Sequence, residues 1–168
     1  MRQWLGALLL IPAVAAIAPA AAQDHVVIRH EVAVARPADA VWKAIGDYCA
    51  IRDWMQTDCD YARGHGEVGT IRRIRNHSTS EVMVASTAHS YTYWQTVGNM
   101  APYDYHGTLA VEPDGPNRAR LSYTLFYDQA AMPSDAVRAS EHARIDKRFA
   151  DLLGVMKTMA EARQADVK

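Results

Sequence analysis

The sequence predicts an α+β domain: a curved antiparallel sheet of about seven strands wrapped around a long C-terminal helix, with two short helices after the first strand. Three observations predict it. Short runs with period-two apolar alternation, separated by turn residues, fill the middle of the chain. Apolar residues at helical spacing fall in only two places, just after the first run and at the C-terminus. Helices segregated from strands in this way belong on one side of an antiparallel sheet.

The first 22 residues precede the fold. Arg2 supplies a positive start, Leu5 to Ile17 is a short apolar run, and Ala20-Ala21-Ala22 offers an A-x-A cleavage site. This reads as a secretory signal cleaved after Ala22, leaving residues 23–168 as one domain in the periplasm or outside the cell. The run is too short, and too broken by Pro12 and Pro19, to predict a stable membrane span.

Val26 to Ala35 reads as the first strand, with Val26, Ile28, His30, Val32 and Val34 on one face. Arg36-Pro37-Ala38-Asp39 stops it and opens a helix, because Pro suits a first turn and Asp suits the positive end of the helix dipole. Val41, Trp42, Ala44 and Ile45 make its apolar stripe. A second short helix over Ala50 to Met55 packs Ile51, Trp54 and Met55. Cys49 and Cys59 flank it. In an exported chain an even cysteine count suggests a disulfide, with buried free thiols as the alternative.

Strands are expected over Asp60 to Arg63, Thr70 to Asn76, Glu81 to Thr87, Tyr91 to Val97, Tyr105 to Glu112 and Arg120 to Asp128. Gly98-Asn99 and Pro113-Asp114-Gly115-Pro116-Asn117 are strong turns between them. Gly64-x-Gly66-x-x-Gly69 matches a dinucleotide fingerprint on paper. That motif must open a helix, and the β-like Thr70-Ile71-Arg72-Arg73-Ile74-Arg75 follows instead, so a glycine-rich hairpin is expected and no nucleotide cofactor. Ser134 caps a long terminal helix in which Ile145, Phe149, Leu152, Leu153, Met156 and Met159 share one face.

Lys and Arg total 18 against 19 Asp and Glu, a formal net charge of -1, so there is no basic field for a nucleic acid. Hydrophobic residues make up 49% and charged residues 22%, enough apolar material for a core and too little charge for disorder. The seven histidines show no H-x-H or H-x-x-x-H pairing, so no metal site is predicted.

Four stretches carry a resemblance: Pro37-Ala38-Asp39-Ala40-Val41-Trp42, Tyr48 to Trp54, Gly69-Thr70-Ile71-Arg72 with Ser80-Glu81, and Met100 to Tyr105. Together with the element order, they resemble the START / polyketide cyclase superfamily, the Bet v 1-like helix-grip proteins. The resemblance spans residues 26–160 and implies a helix-grip fold around a deep cavity. The activities of such proteins range over lipid carriers, receptors, cyclases and lyases. One departure stands out: members often read Trp-His-Pro in the second helix, whereas here Met55 and Gln56 follow Trp54.

Arg72 and Glu81 lie symmetrically about the tip between their strands, so they can face each other across the ladder. The resemblance directs both into the cavity, where Arg72 either orients Glu81 as an acceptor for a substrate hydroxyl or proton or forms with it a structural ion pair that closes the sheet. It also implies a pocket role for Tyr105, with Asp104 beside it, and for Asp128. For Asp128, parity conflicts with the resemblance. The apolar set Leu121, Tyr123, Leu125, Tyr127 would turn it outward, the set Ser122, Thr124, Phe126, Asp128 inward. The expected candidate site is thus Glu81, Tyr105, Arg72, Asp104 and Asp128. Its expected occupant is a small hydrophobic or aromatic ligand, transformed without a cofactor or merely carried, by a monomer or homodimer.

Overall fold

The computed structural model describes residues 22–162, so the expected signal segment lies outside the described residues apart from Ala22. Ten successive residues, His25–Val34, form β1; α1 (Ala38–Ile45) and α2 (Ile51–Met55) follow. Then come β2 (Cys59–Arg63), β3 (Ile71–Ile74), β4 (Thr79–Thr87), β5 (Ser90–Val97), β6 (His106–Pro113) and β7 (Ala119–Asp128). The long helix α3 spans Asp135–Ala162. Each β element lies where the alternation predicts it, except that Tyr105 ends the loop before β6 rather than starting the strand.

The seven strands make one antiparallel sheet in the order β1-β7-β6-β5-β4-β3-β2. Strands β2 to β7 form a meander of hairpins, and β1 closes on β7 at the far edge. The α1–α2 connection carries the chain from one edge of the sheet to the other. Alternation decides the inward face. Strand β7 buries Leu121, Tyr123, Leu125 and Tyr127, β5 buries Tyr91, Tyr93 and Gln95, and β4 buries Thr79, Glu81 and Met83. The α3 side chains Ile145, Phe149, Leu152, Leu153 and Met156 meet this face.

The C-terminal half of α3 is fastened to β1 and the turn after it. Lys157 Nζ donates to the Ala33 carbonyl at 2.8 Å, Glu161 accepts the Ala35 amide at 3.0 Å, and Arg36 donates to the Ala160 carbonyl at 2.7 Å. The first ten residues, 135–144, contribute no buried side chain. Ser134 caps them, its Oγ accepting the Val137 amide at 3.3 Å.

Cys49 and Cys59 are bridged, joining the turn just ahead of α2 to the start of β2. The glycine-rich segment is a turn between β2 and β3, with φ of 77°, 116° and 91° at Gly64, Gly66 and Gly69. Among the described residues no helix is long and apolar enough to cross a membrane.

The interior is largely filled, which corrects the expectation of a deep cavity. Tyr48, Trp54, Tyr91, Tyr93, Tyr105, Tyr123 and Tyr127 are each at most 4% exposed and occupy the space between sheet and helices. Gly107 shows how tight this packing is. It lies opposite Tyr93 in the β5–β6 register, and a Cβ there would stand 2.4 Å from the Tyr93 ring.

Candidate functional site

Strands β3 and β4 pair with Arg72 directly opposite Glu81. Both side chains point inward from the concave face, Arg72 at 0% and Glu81 at 4% exposure. Arg72 Nε donates to Glu81 Oε2 at 2.7 Å. Nη2 stands 2.7 Å from the same oxygen, at an angle too poor for a hydrogen bond. Both contacts therefore fall on Oε2, and neither uses Oε1.

Tyr48 holds the pair from the helical layer. Its backbone carbonyl accepts Arg72 Nη1, and its hydroxyl donates to the Glu81 carbonyl at 3.2 Å. The guanidinium carbon lies 4.1 Å from the centre of the Tyr48 ring and 5.0 Å from that of Tyr93. A buried charge is tolerated only when paired and stacked in this way. Burial works against the charge on Arg72, but the Glu81 carboxylate together with the surrounding Tyr91, Tyr48 and Tyr123 outweighs that penalty and raises the pKa of the guanidinium.

Beside the pair opens a cavity of about 40 Å³, lined by Glu81, Tyr93, Gln95 and Tyr105 from the sheet side. Ile145 and Phe149 of α3, Ile51 and Met55 of α2, and Met100 complete its walls. A water needs about 10–15 Å³ of such space, and an engineered cavity of about 150 Å³ takes benzene. As it stands, the space is large enough for a few waters and too small for an aromatic ring.

Burial, and secondarily the Glu81 carboxylate, push the Tyr105 phenol above its ordinary value, so it stays a proton donor. Tyr93 links inward: its hydroxyl accepts from Tyr123 at 3.1 Å. Gln95 shapes the mouth, its side-chain Oε1 accepting the Met100 backbone N–H at 2.9 Å while its backbone N–H donates to the Tyr105 carbonyl at 2.9 Å. The arrangement is a carboxylate paired with a buried guanidinium, facing a phenol across a small space of mixed polar and apolar walls. It can accept a proton at one point and donate a hydrogen bond at another.

The structure brings together Arg72, Glu81 and Tyr105 and leaves out the two aspartates, a correction to the expected set. Asp104 sits at the end of the short 3-10 turn Ala101–Tyr103 with a φ of 50° and its side chain 57% exposed. Its carbonyl accepts from His106 Nδ1 at 2.8 Å, and its carboxylate stands 4.0 Å from the same nitrogen. Asp128 faces away because parity wins: the larger apolar set of β7 takes the interior. Its carboxylate accepts the Asp24 and Ala130 amides at 3.0 and 2.9 Å, and these bonds hold its pKa below the usual carboxylate range.

Gln95, Tyr93 and Met100 line the site without having been singled out, as do Arg75, Arg144 and Arg148 at its mouth. Alternation from Tyr91 and Tyr93 along β5 carries Gln95 inward. Helical spacing places Arg144 and Arg148 beside Ile145 and Phe149. Among the described residues no three His, Cys, Asp or Glu side chains converge as metal ligands.

A family model described as polyketide cyclase / dehydrase and lipid transport matches residues 25–161. A comparison with curated proteins gives no match. Among solved structures, the Zhui aromatase/cyclase of a Streptomyces species is similar at a TM-score of 0.67 and 20% identity, covering 83% of this chain and 96% of its own. Norcoclaurine synthase from Thalictrum flavum, in complex with dopamine and hydroxybenzaldehyde, is similar at a TM-score of 0.61 and 19% identity over 87% of this chain and 90% of its own. A protein of Nitrosospira multiformis is similar at 0.65 and 18% identity, over 83% and 99%. At these identities the likeness is one of fold.

Proposed function

Because the chain belongs to the polyketide cyclase / dehydrase and lipid transport family, we propose that it binds a small aromatic molecule between Glu81 and Tyr105 and transforms it without a cofactor. The observation that carries this reading is the buried Arg72–Glu81 pair, which spends one carboxylate oxygen on the cation and turns the residue to the cavity. Glu81 accepts a proton from a phenolic or activated carbon centre, and Tyr105 donates to the oxygen on which negative charge develops. A lyase, cyclase or isomerase step fits such a pair. Export is part of the proposal, supported by the leader-like N-terminus and by the Cys49–Cys59 bridge.

The 40 Å³ space must widen before an aromatic ring enters. The α3 wall of the space is Arg144, Ile145, Arg148 and Phe149; the stretch 135–144 that leads into it contributes no fully buried side chain and is suited to yield, while the C-terminal part of the helix is tied to β1. That filled resting state also favours a second reading, a carrier in which Arg72–Glu81 is purely structural.

Glu81→Gln separates the two. The wild-type and variant chains are incubated with a panel of phenols and aromatic ketones, and bound and altered species are identified by mass spectrometry, with circular dichroism confirming the fold. Retained binding with abolished turnover supports catalysis by Glu81. Undiminished turnover removes Glu81 from the chemistry, and binding by both chains without turnover of any compound supports the carrier.

A further inference from the structure

The cavity mouth is cationic in a way the Glu81–Tyr105 chemistry does not need. Arg75 from the turn after β3 and Arg144 and Arg148 from α3 all line it. A groove of about 380 Å³ continues outward from the same Met55, Arg144 and Arg148, adding Lys147 and Val155. Carboxylates offset part of this charge: Arg144 pairs with Glu141 at 2.5 Å and Lys147 with Asp151 at 2.8 Å. Among the described residues no salt bridge reaches Arg75 or Arg148, and the Nε of Arg148 is buried without a hydrogen-bond partner. Burial first, then the charges of Arg75 and Arg144, lower the pKa of Arg148, so the cluster is held together against its own repulsion. Guanidinium groups converging in this way match an oxyanion, which each can hold through two parallel N–H bonds.

We propose that Arg75, Arg144 and Arg148 form an oxyanion-binding collar, so that the ligand is an aromatic molecule carrying a carboxylate or phosphate head at the mouth and its ring toward Tyr105. This rests on the reading that the Glu81–Tyr105 cavity takes an aromatic ligand, and it adds the charge of that ligand and the direction in which it lies. The head occupies the wide outer groove, where space exists in the resting state, and the ring enters as the N-terminal stretch of α3, residues 135–144, yields. A neutral analogue gains the inner contacts alone.

The test compares three probes with the same ring by isothermal titration calorimetry: 4-hydroxyphenylacetate, its methyl ester, and 4-hydroxybenzylphosphonate. The acid or the phosphonate is expected to bind at least about tenfold tighter than the ester, with the tighter of the two identifying the head. That preference is expected to vanish in the double variant Arg75→Gln, Arg148→Gln while the ester's affinity holds. The control Arg118→Gln, on the β6–β7 turn, is expected to keep it. Equal affinities for ester and oxyanions, or a preference that survives the double variant, overturn the collar and leave the cavity reading standing. Absence of binding by all three probes overturns both.

Discussion

Arg72 and Glu81 face each other across the β3–β4 ladder with Nε and Oε2 2.7 Å apart, and neither reaches solvent. Tyr48 stacks on the first and hydrogen-bonds the backbone of the second. A buried pair of this kind commits the protein to keeping both members, because either one alone is an uncompensated charge in an apolar interior.

Arg72→Met alone is therefore expected to cost about 3–5 kcal/mol of stability, and adding Glu81→Leu is expected to recover most of it. Urea unfolding of the wild type, both single variants and the double variant checks this through a double-mutant cycle. Additive single effects would mean the two side chains are energetically independent.

Tyr93 is held in place by the absence of a side chain opposite. Gly107→Ala would set a methyl group 2.4 Å from its ring, and Tyr93 cannot retreat without breaking its bond to Tyr123. A loss of about 1–3 kcal/mol is expected, as for overpacked cores. A thermal melt measures it, and a near-ultraviolet circular dichroism spectrum reports the displaced tyrosine. An unchanged melt and spectrum would show that the ring has room to move.

The Cys49–Cys59 bridge closes a loop with a sequence separation of 10. Chain entropy predicts about 2.7 kcal/mol for a loop of this size. The double variant Cys49→Ala, Cys59→Ala is expected to lose about that amount in denaturant titration while still folding, because the sheet does not depend on the bridge. An equal midpoint for both chains would contradict it.

Alkaline pH should destabilise the fold steeply. Burial raises the phenol pKa values of Tyr48, Tyr91, Tyr93, Tyr105 and Tyr123 above their ordinary value of 10.0. Above that value the unfolded chain releases protons that the folded chain retains, so unfolding gains free energy as pH rises. The tyrosine contribution is complete below pH 10 and is lost above it, by about 1.4 kcal/mol per pH unit for each phenol that stays protonated. Followed from pH 9 to 12, the phenolate absorbance of these five, the larger part of the eight tyrosines, is expected to appear in one cooperative step with the loss of far-ultraviolet circular dichroism. Phenolate from more than the three tyrosines outside this set, appearing well before the loss of secondary structure, would contradict the burial.

The strands, the long helix and the Arg72–Glu81 pairing were legible because each rests on periodicity or symmetry about a turn. For β7 the residues and the resemblance point to opposite faces, and the residues prevail. Leu121, Tyr123, Leu125 and Tyr127 bring more apolar area than the alternate set, and burial follows area, so Asp128 turns out. What sequence could not give is how the interior fills. Large side chains on a concave sheet leave a cavity or close it depending on rotamers and on the exact seat of α3. Here Tyr93, Tyr105, Tyr123 and Phe149 close most of it. Asp104 escaped because strand parity does not extend into the turn before β6. The mouth arginines escaped because Arg75 and the α3 pair meet only in three dimensions.

The decisive measurement is an NMR titration of the chain, carrying ¹³C in its methionine methyls and tyrosine rings, with phenol as the guest. Shifts centred on Met55, Met100, Tyr93 and Tyr105, with Tyr61 unmoved, are the predicted result. Shifts gathered instead around Tyr61, or none at any concentration phenol can reach, would contradict the site.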